Sequence, residues 1–75
     1  MPKKKGVKYM RTFHFRCDGY FNVFIEKPEG SYFHIWGRGC AAHAPGVYLD
    51  GPVALRKMDK LRCDGHKEQL GTVSP

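Results

Sequence analysis

Cysteine and histidine recur at one spacing three times: His14-Phe-Arg-Cys17, Cys40-Ala-Ala-His43 and Cys63-Asp-Gly-His66. Structural zinc is held by four such ligands, often from two closely spaced pairs. A bound ion would also offset the small core of a short chain. Gly65 lets the backbone curl between Cys63 and His66. Residues three apart on a strand, as His14 and Cys17 would be, point to opposite faces. Cys40, His43, Cys63 and His66 are therefore the candidate metal set, and zinc is the one cofactor suggested. Free buried thiols and surface histidines are the default reading, with zinc the alternative to it, because this spacing is far less specific than a pair of CxxC motifs. Read as nucleophile and base, Cys40 with His43 or Cys17 with His14 lack an orienting third group and an oxyanion site. No enzyme is expected.

A second constellation is aromatic and basic. The stretch Tyr20 to Arg38, YFNVFIEKPEGSYFHIWGR, has apolar and aromatic residues at both ends and Lys27-Pro28-Glu29-Gly30 between them. Proline followed two residues later by glycine marks a three-residue hairpin loop with a bulge. Such a loop pairs Ile25 with Phe33, Val23 with Ile35 and Phe21 with Gly37, making one apolar face. The other face then carries Glu26 by Tyr32, Phe24 by His34, Asn22 by Trp36 and Tyr20 by Arg38. Rings flanked by bases suit single-stranded nucleic acid, whose bases stack on any π-face while Arg and Lys meet phosphates.

The charge distribution supports that chemistry. Residues 1–16 hold six Lys or Arg and no acid, within a chain of 75 residues and net charge +6. Lys3, Lys4, Lys5 and Lys8 lie in this segment, and such a balance fits a polyanionic partner. Three cysteines, an odd number, argue against a disulfide framework. No apolar run approaches the ~18 residues of a membrane span, and no apolar segment follows Met1-Pro2-Lys3-Lys4-Lys5. An intracellular, cytoplasmic protein with no membrane partner is expected.

These residues must be positioned by short strands and one helix. The predicted fold is α+β: a three-stranded antiparallel meander over about 8–16, 20–26 and 31–37, with a C-terminal helix over about 52–62 packed on its apolar face. Residues 1–6 are expected to be a disordered basic arm, 7–66 a single small domain and 67–75 a loose tail. Cys17-Asp18-Gly19 resembles the second loop. Read as three residues, it pairs Arg16 with Tyr20 and Phe15 with Phe21, gathering Phe13, Phe15, Phe21, Val23, Ile25, Phe33 and Ile35 on one face. A two-residue Asp18-Gly19 turn would slip the register by one and send Phe13 and Phe15 to the other face. Asp50-Gly51-Pro52 is a helix start and Asp64-Gly65 a stop. Ala54, Met58 and Leu61 form the helix's apolar stripe, with Arg56, Lys57 and Lys60 off it. If that helix does not cover the sheet, a second copy must.

The three-residue loop leaves the rows Thr12–Phe24–His34, His14–Asn22–Trp36 and Arg16–Tyr20–Arg38 on an open face. The expected function is a small basic binder of RNA or single-stranded DNA. It would use Tyr20, Asn22, Phe24, Tyr32, His34, Trp36, Arg38, His14 and Arg16 together with Lys3, Lys4, Lys5 and Lys8. One alternative is a protein-binding module, such as a viral or mobile-element inhibitor that meets an acidic host protein. Another is a zinc-stabilised structural domain. The aromatic residues also admit a plainer reading, as a second core.

Overall fold

A computed structural model of the chain describes residues 10–39 and 44–73. Its elements are β1 (Met10–Cys17), β2 (Tyr20–Glu26), β3 (Tyr32–Arg38), β4 (Gly46–Leu49), α1 (Gly51–Cys63) and β5 (Lys67–Val73). The strands form one sheet in the order β4-β3-β2-β1-β5, with every neighbouring pair antiparallel. The fold is thus α+β. It has two strands more than the expected meander, and residues 67–73 are an edge strand rather than a loose tail.

The β2–β3 hairpin forms as its loop chemistry dictates. Gly30 has φ 98°, the Gly30 amide donates to the Lys27 carbonyl (3.0 Å), and the Lys27 amide donates to the Ser31 carbonyl (2.8 Å). Phe21 pairs with Gly37, Val23 with Ile35 and Ile25 with Phe33, the register that a three-residue loop requires.

The β1–β2 connection corrects the sequence expectation. Asp18 and Gly19 both have positive φ, 31° and 82°, and together make a two-residue turn. Cys17 therefore pairs with Tyr20, Arg16 with Phe21, Phe15 with Asn22 and Phe13 with Phe24. Phe13 and Phe15 lie on the face of Phe24, opposite Phe21, Val23 and Ile25. Since β2 and β3 are apolar on both faces, their pattern could not choose between registers. The core decided. Phe15 and Phe24 are fully buried, their rings meeting edge to face at 5.8 Å.

Helix α1 starts at Asp50, which has extended N-cap dihedrals, with proline in the first turn. Beyond its end the Gly65 amide donates to the Arg62 carbonyl and the His66 amide to the Leu61 carbonyl, with Gly65 at φ 89°. The helix joins the two edge strands, so it has to cross the sheet. Its 13 residues span about 20 Å, which matches the ~19 Å width of five strands. Ala54, Met58 and Leu61 press onto Phe13, Phe15, Phe24 and Tyr32, with Leu49 closing one side. Burying a side chain the size of Met58 or Phe15 contributes roughly 1.5–3 kcal/mol. The helix therefore covers the face expected to be open, and among the described residues no helix lies on the face of Phe21, Val23, Ile25, Phe33 and Ile35.

Arg62 fixes the helix end to β5. Its guanidinium donates to Glu68 (2.7 and 3.2 Å) and Asp59 (2.6 Å), and lies 5.5 Å above the Phe15 ring. Among the described residues no helix is long and apolar enough to cross a membrane.

Candidate nucleic-acid interface

On the helix-covered face, three rings follow one another outward from the core. Phe24 is fully buried and stacks on His34 with centroids 4.1 Å apart and planes 4° from parallel. His34 in turn meets Trp36 at 4.9 Å and 33°. His34 is 8% exposed and Trp36 37% exposed, so the series ends in solvent. Antiparallel pairing brings this about. Residues 34 and 36 alternate onto one face of β3, and Phe24 and Asn22 stand opposite them on β2.

Beside the last ring, Tyr20 is half exposed and carries the Arg38 guanidinium 5.2 Å above its centroid. Tyr20, Asn22, Trp36 and Arg38 line a cleft of about 300 Å³ at the sheet's end. Toward the helix, Lys57 joins Asn22, His34 and Trp36 around a second hollow, and Lys57 and Lys60 border a third beside Asn22 and His34. Asn22 touches all three. Its amide oxygen accepts from His34 Nε2 (2.9 Å), which places the imidazole proton on Nε2 because an amide oxygen cannot donate. Burial, reinforced by the positive charge of Lys57, lowers the His34 pKa to about 4, so the ring is neutral at pH 7. Among the described residues, the one acid on the border of these hollows is Asp64, 3.6 Å from Lys60 Nζ.

The structure divides the residues expected to act together. Tyr20, Asn22, Trp36 and Arg38 share one accessible end of the face. Phe24, Tyr32 and His34 are buried under the helix, so no base can stack on them. His14 and Arg16 lie on the opposite face, because the two-residue turn reverses β1's alternation, and the three expected rows across the sheet do not form. His14 instead meets Thr12 through its Nε2 (3.3 Å). Lys3, Lys4, Lys5 and Lys8 lie outside the described residues. Lys57 and Lys60 are contributors that the sequence pattern did not place here. Their position off the Ala54–Met58–Leu61 stripe marked them as exposed, but the helix's path over the sheet was needed to bring Lys57 to Trp36 and Lys60 to Asn22 and His34.

Of the candidate metal ligands, Cys40 and His43 lie outside the described residues. Cys63 is exposed at the helix end. His66 is partly buried, with Nδ1 shielded from solvent and without a hydrogen-bond partner. Among the described residues no group of three His, Cys, Asp or Glu side chains converges as a metal site.

No protein-family model, curated protein sequence or solved structure shows a significant match to this chain.

Proposed function

We propose that the protein binds single-stranded nucleic acid, RNA or DNA, at the Trp36 end of the helix-covered face. The observation that carries this reading is the open-ended ring series from Phe24 through His34 to Trp36. A base placed on Trp36 would be the next member of that stack. Tyr20 and Asn22 flank the position, one offering a second ring and the other an amide that can meet a base edge. Arg38, Lys57 and Lys60 surround it with positive charge for the phosphates of neighbouring nucleotides. Because the buried rings hold Trp36 from below, the platform is preorganised and little ordering is needed on binding. The net charge of +6 adds a long-range attraction that does not depend on sequence.

A titration with a short single strand at physiological ionic strength, followed by Trp36 fluorescence, tests this. Trp36→Ala should weaken binding by ~1–3 kcal/mol through lost stacking, with the salt dependence unchanged. Replacing Lys57 and Lys60 by glutamine should do the reverse, flattening log K against log salt by about 0.7 for each phosphate no longer neutralised. Unaltered Trp36 emission in a folded sample would refute the proposal.

A further inference from the structure

The helix-free face of the sheet is apolar at its centre and positive at its rim. Three rows cross it. Tyr48, Phe33, Ile25 and Thr12 make the first, Ile35, Val23, His14 and Gln69 the second, and Gly37, Phe21, Arg16 and Lys67 the third. Val23, Ile25, Phe33 and Ile35 remain partly exposed, and Tyr48 is 67% exposed. Phe33 lies over Gly46, where a Cβ would come within 2.6 Å of its ring, and rests 4.7 Å from the ring of Tyr48. At the far corner Lys27 Nζ sits 5.7 Å from the centroid of that tyrosine.

None of the strand positions on this face is acidic, among the described residues. Arg16 and Lys67 are direct cross-strand partners, an arrangement that is repulsive in the isolated chain. Glu68, the nearest carboxylate in sequence, points to the other face and is held by Arg62. The face thus combines exposed apolar area with uncompensated positive charge.

We propose that it docks an acidic protein partner, through an apolar segment flanked by carboxylates. The apolar side chains would cover Val23, Ile25, Phe33 and Ile35, and the carboxylates would meet Arg16 and Lys67. A second copy of this chain is disfavoured, because its equivalent face offers no carboxylate to that pair. Residues 1–9, with four lysines and no acidic side chain, are disfavoured for the same reason. Nucleic acid would satisfy the charges but not the centre. Tyr48 and Phe33 offer rings at one corner, but Val23, Ile25 and Ile35 have no π-face, and the Phe21 ring next to Arg16 is buried against Gly37. This surface meets the Trp36 cleft only at Phe21 and Gly37, which border both. Arg16, Lys67, Val23, Ile25, Phe33 and Ile35 do not line that cleft, so the two proposals are tested by different residues.

The test uses the full chain, methyl-labelled at valine, isoleucine, methionine and alanine. The probe is an amphipathic peptide with leucine on one face and glutamate on the other, and a lysine version serves as comparator. The glutamate peptide should shift the Val23, Ile25 and Ile35 methyls, and the lysine peptide should not. Arg16→Glu combined with Lys67→Glu should weaken the glutamate peptide roughly tenfold or more and admit the lysine peptide. Both side chains are exposed, and unchanged resonances of the buried Met58 methyl and Ala54 would verify that the variant is folded. Methyls unmoved by the glutamate peptide overturn the proposal. So do shifts produced by raising the protein concentration alone, which would indicate a second copy, or by a single-stranded oligonucleotide added to the Trp36→Ala variant in place of the peptide.

Discussion

Phe24→Ala is expected to destabilise the protein by about 3–5 kcal/mol, the range for truncating a fully buried aromatic side chain. Phe24 has no exposed surface, meets Phe15 edge to face and stacks on His34, so its removal opens a cavity between those two rings. A 75-residue domain has only about 4–11 kcal/mol of stability in total. The variant should therefore melt roughly 15–30 °C lower, or be partly unfolded at 25 °C, as followed by circular dichroism during heating or in urea. The experiment also tests the register. With a three-residue loop at Cys17-Asp18-Gly19, Phe24 would stand on an uncovered face and its loss would cost under about 1 kcal/mol. A loss that small would contradict the arrangement described.

The second large effect is acid destabilisation through His34. Its folded pKa, about 4, lies below the ordinary histidine value of 6.5 because the ring is buried and faces Lys57. Between those pH values the unfolded chain binds a proton that the native state does not, so stability falls as pH falls. The contribution is fully present above pH 6.5 and is lost by about pH 4. The ring borders an open hollow, and screening there reduces the loss to about 2 kcal/mol. Glu26 acts in a lower window. Hydrogen bonds from Arg11 hold its carboxyl below the usual value of 4.5, so its contribution weakens only as pH falls past that value. Urea unfolding at a series of pH values should show a decline from pH 6.5 to about 5, above the Glu26 window, in the native protein and none there in His34→Gln. Equal slopes in the two proteins would show that His34 is not the group responsible.

Local signals were read well from the chain. Lys27-Pro28-Glu29-Gly30 specified a loop whose φ, hydrogen bonds and register follow from proline and glycine at their positions. Asp50-Gly51-Pro52 and Asp64-Gly65 marked the helix ends to within a residue, because capping depends on near neighbours. The stripe of Ala54, Met58 and Leu61 named the helix's buried side correctly. Of the proposed interface, Tyr20, Asn22, Trp36 and Arg38 were legible as neighbours, since they belong to the one hairpin whose register was readable.

The tertiary structure decided which face is core. Asp18-Gly19 admits two turn lengths that differ by one residue, and that residue transfers Phe13 and Phe15 between faces. Local chemistry leaves the choice nearly even. It is settled by α1, which can bury Phe13, Phe15, Phe24 and Tyr32 together only in the shorter register. Residues 67–73 carry little apolar content and look like a tail in isolation. They become a strand because the helix delivers them to the free edge of β1, where backbone hydrogen bonding rather than side-chain pattern holds them. The placement of Lys57 beside Trp36, and of Lys60 beside Asn22 and His34, has the same origin. Composition and turn chemistry are written residue by residue, whereas faces, edges and clefts exist only once a distant element has crossed the sheet.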